Sequence, residues 1–107
     1  MDIKIISGSI DESPSLTKYT TKKLQETVSK YFDIAVSADV HFKKEGPFFS
    51  CVIIVNEGVK GGINIKSDHQ DADIYKAFDE SCEKVDKQLR RYKRKITHHK
   101  GKKPQED

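Results

Sequence analysis

A concentration of basic residues near the end of the sequence is its clearest chemical signal. Residues 84–107 contain ten Lys or Arg and three Asp or Glu, a net charge of +7, whereas residues 1–83 contain ten and fourteen, a net charge of −4. Between Arg91 and Lys103, seven cations occur with no acidic residue among them. Because like charges on one segment repel each other, a polyanion that neutralises them would bind favourably. The charge distribution therefore predicts a nucleic acid as the partner.

A solvated helix is the alternative explanation for part of this charge. An acidic residue precedes a basic one by four positions in three pairs, Glu80–Lys84, Glu83–Lys87 and Asp86–Arg90. Such pairs stabilise an exposed helix by about 0.2–0.5 kcal/mol each, and the helix dipole also favours cations near a C-terminus. These effects explain about half of the basic residues on the predicted helix and leave the later cations, from Arg91 onward, without an explanation.

Catalytic and metal-binding patterns have little support in the sequence. The histidines at positions 41, 69, 98 and 99 are scattered, and no Ser or Cys shows a base partner nearby. The acidic residues within 71–80 fit a helix N-terminus, where negative charge is favoured. We therefore expect no enzymatic activity, no cofactor, no metal ion and no small-molecule substrate.

Hydrophobic periodicity predicts the elements that position the basic residues. Ser13 is a natural N-cap, and Pro14 suits the first position of a helix. Period-two and period-3.6 patterns give the remaining elements. In order, we predict a strand at 2–7, a helix from Pro14 to Phe32, strands at 34–42, 48–55 and 59–66, and a helix from Asp71 to Ile96. Gly61 and Gly62 indicate a bulge or a close backbone approach in the last strand, and the helical pattern is predicted to begin after residues 67–70.

The order of these elements predicts an α+β fold of the type βαβββα. The first two strands are parallel with a right-handed crossover, and the later short turns make the other pairs antiparallel. Both helices cover one face of the four-stranded mixed sheet, and Cys51 and Cys82 are buried thiols. The open face then carries alternating side chains, namely Ser37, Asp39, His41, Lys43, Val52, Ile54 and Asn64.

The length of 107 residues fits one domain, which we place at residues 1–97, followed by a basic, disordered tail at 98–107. We find neither a membrane-spanning apolar run nor the pattern of a secretory signal, so we expect a cytoplasmic protein. No helix-turn-helix, zinc finger or basic zipper is visible, which favours RNA over DNA. Two other functions stay open: a general double-stranded RNA-binding module, and a protein-interaction module that uses the open sheet face around Val52 and Ile54.

Residues 71–95 closely resemble the last helix of the ribosome hibernation-promoting factor and ribosome-associated translation inhibitor family, also called sigma-54 modulation proteins. The family motif reads D-x-Y-x-A-h-D, then K-h-x-x-Q-h, then a basic run ending in K-x-K. Its positions match Asp73, Tyr75, Ala77 and Asp79, then Lys84, Val85, Gln88 and Leu89, then Arg91, Tyr92, Lys93 and Lys95. Residues 6–16 and 22–33 are similar to the first strand, loop and first helix of the family.

This resemblance implies the βαβββα fold and binding to the 30S ribosomal subunit and its 16S rRNA, in the channel used by messenger and transfer RNA. It implies that translation is blocked and that ribosomes are stored in an inactive state. The RNA-binding residues that carry over from the family are Lys22, Lys23, Lys84, Lys87, Arg90, Arg91, Lys93, Arg94 and Lys95.

The same resemblance points to the short type of the family, without the ribosome-dimerising domain of longer members. Some short members support 100S ribosome dimers together with a separate ribosome modulation factor, whereas others have a longer tail that opposes dimers. The tail THHKGKKPQED is intermediate in length, so both alternatives stay open at this point.

Overall fold

The computed structural model describes residues 2–8, 10, 13–31, 37–56 and 64–101, with side chains described as far as Lys93. Its elements are β1 (Asp2–Ser7), α1 (Pro14–Ser29), β2 (Ser37–Glu45), β3 (Phe48–Asn56), β4 (Asn64–Asp71) and α2 (Ile74–Gly101). The strands lie in the order β1-β2-β3-β4, with β1 parallel to β2 and the other neighbours antiparallel. The predicted βαβββα fold with a four-stranded mixed sheet is therefore confirmed.

The core lies between the helices and one face of the sheet. Alternate residues of β3 point into it, so that Cys51, Ile53 and Val55 are buried while Val52 and Ile54 are half-buried on the open face, as predicted. The helices supply the other half of the core, with Leu24 and Val28 from α1 and Phe78, Val85 and Leu89 from α2. Each such side chain stabilises the fold by about 1.5–3 kcal/mol when it leaves water.

Small side chains let α2 pack closely against β3 and β4. Ala77, Ser81 and Cys82 form the contacting turn of the helix, and all three are buried. The hydroxyl of Ser81 donates to the carbonyl oxygen of Cys51 (3.2 Å), and its oxygen lies 2.8 Å from that of Ser67. These hydrogen bonds satisfy polar groups that would otherwise be costly inside a core.

The last strand differs from its prediction. We expected this strand at 59–66, but β4 runs from Asn64 to Asp71, and the predicted glycine bulge lies outside the described residues. The prediction ended the strand too early because Ser67 and Asp68 are residue types common in turns. In the structure Ser67 faces the core and bonds to Ser81, while its neighbours point to the solvent.

The ends of the other elements also shift. β2 is described from Ser37 onward, and the predicted start at 34–36 lies outside the described residues. α2 begins at Ile74 rather than at Asp71, because the carboxylate of Asp73 caps it by accepting from the amide of Tyr75 (2.9 Å).

The long helix continues beyond the predicted end at Ile96. Its 28 residues correspond to about 42 Å. No helix-breaking residue occurs before Gly101, so residues 98–101, predicted to begin the disordered tail, are helical. The rest of that tail, 102–107, lies outside the described residues. Neither α1 nor α2, as far as they are described, combines the length and apolar character needed to cross a membrane.

Two local predictions are confirmed. The hydroxyl oxygen of Ser13 accepts a hydrogen bond from the amide of Leu16 (3.3 Å) and caps α1, with Pro14 next to it. Cys51 and Cys82 are buried free thiols. Burial raises the pKa of Cys51 to about 12, so this side chain is a neutral thiol at physiological pH.

One buried hydroxyl in α1 should make the fold less stable than it could be. Thr20 is fully buried, and its oxygen has no hydrogen-bond partner among the described residues. We predict that Thr20→Val raises the free energy of unfolding by about 1 kcal/mol, because the substitution removes an unsatisfied polar group and keeps the β-branched shape. Urea denaturation measures this change.

Thr27→Val is the matched control on the same helix. The hydroxyl of Thr27 contacts the sulfur of Cys82 at 3.5 Å, so its loss should bring no gain in stability. Equal stabilisation by the two substitutions would contradict the explanation.

Candidate nucleic-acid interface

The solvent-exposed side of α2 carries a row of cations, which we call the basic face. It consists of Lys84, Lys87, Arg90, Arg91 and Lys93, all of them exposed. The opposite side of the helix is the buried stripe that contains Val85 and Leu89, so packing of this stripe on the sheet turns the cations outward. Arg94 and Lys95 also belong to α2, but their side chains lie outside the described part.

One border of the basic face is attached to the edge of the sheet. The ammonium group of Lys84 donates to the carbonyl oxygen of Asp68 (2.7 Å), and the amide of Gln88 donates to that of Lys66 (3.0 Å). Since β4 is an edge strand, these side chains occupy carbonyl groups that another strand could otherwise use. Lys84, predicted to bind RNA, therefore also has a structural role that the sequence did not indicate.

The other border meets α1 through two similar clusters of side chains. In the first cluster, the carboxylate of Asp79 accepts hydrogen bonds from the ammonium of Lys23 (2.9 Å) and the hydroxyl of Tyr19 (2.6 Å). The bond to Asp79 raises the pKa of both donors. Lys23 was predicted to bind RNA, and here its ammonium is engaged within the protein. We call this group, Tyr19, Lys23 and Asp79, the first clasp.

The second clasp consists of Lys30, Tyr31 and Asp86. The carboxylate of Asp86 accepts from the ammonium of Lys30 (2.7 Å) and from the hydroxyl of Tyr31. Both donor pKa values are raised, chiefly by the hydrogen bonds to Asp86. Burial alone would raise the pKa of the Asp86 carboxyl, but its bonds to Lys30 and Tyr31 outweigh this effect and hold the pKa below its ordinary value.

The lysine and the aspartate of the two clasps repeat at the same interval, whereas the tyrosines do not. Lys30, the C-cap residue of α1, follows Lys23 by seven residues, and Asp86 follows Asp79 by seven residues on α2. Seven residues are about two helical turns, so equivalent side chains return to the same side. Asp86 is thus directed to α1, and the ion pair expected between Asp86 and Arg90 along α2 is replaced by contacts between the helices.

Cations from both helices meet at the second clasp. Arg90 is near enough to Lys30 and Tyr31 to act on them electrostatically. The ammonium of Lys93 donates to the carbonyl oxygen of Tyr31 (2.8 Å), just beyond the end of α1. The prediction from sequence missed Lys30, because its partner Asp86 is 56 residues away in the sequence.

Lys22 occupies a different side of α1 from Lys23. It is exposed and, together with Gln25, Glu26, Ser29 and Lys30, lines a shallow depression on the outer surface of that helix. The two neighbouring lysines, both predicted to bind RNA, therefore lie on different sides of the helix. Lys22 faces the solvent, whereas Lys23 faces α2.

Acidic residues divide the exposed side of α2 into two parts. Glu80 and Glu83 lie among the exposed residues of its first half, whereas Asp86 is its last described carboxylate and points to α1. The surplus of positive charge is therefore confined to the second half of the helix. Among the described residues, no group of three or more His, Cys, Asp or Glu side chains is placed to hold a metal ion.

The fold and the exposed cations define a small α+β domain with one basic helix, and comparison with known proteins identifies its family. Residues 3–97 match the family described as Sigma 54 modulation protein / S30EA ribosomal protein. The chain belongs to this family, which confirms the resemblance seen in the sequence.

Two curated relatives of this chain share one name. The chain is 31% identical over 104 residues to the Ribosome hibernation promotion factor of Rhizobium meliloti (strain 1021), covering 94% of this chain and 53% of that protein. It is 26% identical over 98 residues to the protein of the same name from Bradyrhizobium diazoefficiens, covering 90% and 46%. The chain thus spans about half the length of these relatives.

Solved structures share the fold. The N-terminal domain of Protein Y from Thermus thermophilus has a TM-score of 0.77 and 26% identity, covering 86% of this chain and 99% of that domain. A ribosomal subunit interface protein from Coxiella burnetii has a TM-score of 0.75 and 24% identity, covering 87% and 98%.

Acid should release the second clasp. Because the pKa of Asp86 is lowered in the folded state, the clasp stabilises the fold above the unfolded-state pKa of about 3.9 and is lost as the pH falls through the lower folded value. We predict that Asp86→Asn costs about 0.5–1 kcal/mol at pH 7, and that the difference from wild type narrows below about pH 4. Urea unfolding between pH 7 and pH 2.5 measures both quantities. A difference that stays constant over this range would contradict the prediction.

Proposed function

We propose that this chain binds the 30S ribosomal subunit through the basic face of α2, blocks translation and keeps ribosomes inactive. The family and the name of its curated relatives support this proposal. The observation that carries the proposal is that the cations Lys87 and Arg91 are available to a partner. Both are exposed, and neither forms a hydrogen bond or ion pair with another described residue.

The proposed mechanism is occupancy of a site rather than chemistry. Lys and Arg side chains that neutralise rRNA phosphates release condensed counterions, which favours binding at low salt. A rigid domain held in this way in the channel of the small subunit fills space that messenger and transfer RNA need. No bond is made or broken, so the proposal includes no catalytic residue and no cofactor.

The extent of the interface is part of the proposal. We assign ribosome binding to residues 1–97, with contacts to 16S rRNA from α2 and from the exposed Lys22 of α1. The proposed contacts on α2 are Lys84, Lys87, Arg90, Arg91, Lys93, Arg94 and Lys95. A ribosome-associated protein of this kind is cytoplasmic, and a ribosome modulation factor is the further partner that the resemblance implies for 100S dimers.

Charge reversal on the basic face tests the proposal. We predict that the double variant Lys87→Glu and Arg91→Glu weakens binding to 30S subunits at least about tenfold at low salt. Its plot of log affinity against log salt should be less steep by roughly one unit for each phosphate that the variant no longer neutralises. Co-sedimentation with 30S subunits over a salt series measures both effects, and thermal denaturation checks that the variant is folded.

The matched control lies on the open face of the sheet. Lys4 and Lys66 are exposed and lie in one row across the four strands, with Asp39 and Ile54 between them. The double variant Lys4→Glu and Lys66→Glu has the same change in charge and should bind as wild type does. Loss of binding only in this control would instead favour a protein-interaction surface on the open face.

Titration with duplex RNA distinguishes the proposed function from the remaining alternative. Equal affinity for a duplex and for 30S subunits would indicate a general double-stranded RNA-binding module. Preference for the 30S subunit, together with competition by messenger RNA, is the result expected from the proposal.

A further inference from the structure

Both clasps join a lysine and a tyrosine to an aspartate of α2, but their electrostatic surroundings differ. On α2, Lys76 lies one turn before Asp79 and Glu83 one turn after it, and on α1 Glu26 lies one turn after Lys23. Around the first clasp, two lysines therefore face three carboxylates. Lys23 is also the less exposed of the two lysines, with 39% of its side chain accessible against 55% for Lys30.

The second clasp has one cation more in its surroundings than the first. Lys30 is the C-cap residue of α1, and Arg90 and Lys93 follow Asp86 by one and two turns on α2. The carboxylates within one turn are those of Glu26 and Glu83, so three cations face three carboxylates here. Lys93 also donates to the carbonyl oxygen of Tyr31, which lies at the C-terminal end of α1. This contact matters because carbonyl groups at the end of a helix would repel an anion.

We infer that Lys30, Arg90 and Lys93 form a subsite for a single RNA phosphate at the end of α1, and that Asp86 is a positioning residue for Lys30. This inference rests on the proposed function and adds a contact to it that the sequence did not predict. The resemblance implies RNA binding by Lys23, whereas this inference assigns Lys23, the equivalent residue of the first clasp, to holding the helices together and not to phosphate.

Positioning by Asp86 explains why a lysine in an ion pair can still bind phosphate. A lysine ammonium has three donors, and Asp86 accepts one of them at 2.7 Å. The remaining donors stay on an exposed group whose long side chain is already ordered by the bond to Asp86. Binding then costs less conformational entropy than it would for a mobile lysine.

The structural equivalence of the clasps provides a matched pair of variants. Lys30→Gln and Lys23→Gln each remove one positive charge and one ion pair to an aspartate of α2. Both should lower the thermal stability to a similar, small extent. Their effects on RNA binding should differ, and Lys18→Gln serves as a control for the loss of one exposed charge elsewhere on α1.

The experiment measures binding of the full chain to 30S subunits and to a short oligouridylate over a salt series. We expect Lys30→Gln to weaken binding about three- to tenfold at low salt and to reduce the slope of log affinity against log salt by about one. Lys23→Gln and Lys18→Gln should leave the slope within about 0.3 of wild type.

Each outcome separates the inference from the proposed function. An unchanged slope for Lys30→Gln, or an equal reduction for Lys23→Gln, overturns the subsite even when wild type binds 30S subunits tightly. Binding of wild type to oligouridylate but not to 30S subunits contradicts the proposed function, whereas the comparison of the two variants on the oligonucleotide still decides whether Lys30 contacts phosphate.

Discussion

The orientation of α2 on the sheet is the constraint on which the rest of the molecule depends. It is set by a contact of small side chains, in which Ser81 meets Ser67 and the carbonyl group of Cys51. Rotation of the helix about its axis would break these buried hydrogen bonds and leave polar atoms without partners, at a cost of about 1–3 kcal/mol each. The same rotation would bring Lys87 toward the core. The polar contact in the interior therefore determines which side chains face the solvent.

The position of α1 follows from that of α2. The clasps are built on Asp79 and Asp86, which the orientation of α2 directs to its neighbour. Each clasp neutralises a carboxylate of α2 with a lysine from α1 or its C-terminal end, and a tyrosine of the same segment supplies a second hydrogen bond. The negative charges of Asp79 and Asp86 would otherwise weaken the attraction of α2 for an anion, and here they join the helices. The surplus positive charge stays in the second half of α2.

The sequence was sufficient for the fold because hydrophobic periodicity and the capping residues Ser13 and Pro14 act locally. The prediction from the sequence was wrong at β4, because Ser67 is a residue type common in turns and its buried partner in the structure is Ser81. That partner is fourteen residues away, so no local pattern could have identified it.

The candidate site was predictable to a similar degree. Helical spacing placed Lys87 and Arg91 on the outer side of α2 correctly. It could not show that Lys23 pairs with Asp79, 56 residues away in the sequence, because that contact depends on how two helices lie side by side. For the same reason Lys30 was overlooked. Contacts within one helix can be counted from spacing, whereas contacts between helices require the tertiary structure.

The hydrogen bonds from Lys84 and Gln88 to β4 have a consequence for the folding pathway. While α2 is undocked, the outer carbonyl groups of β4 remain accessible, and a partly folded chain could add a strand from another molecule there. Docking of α2 closes this route to aggregation at the same time as it completes the core. The helix that carries the positive charge also covers this edge of the sheet, while β1 forms the other edge.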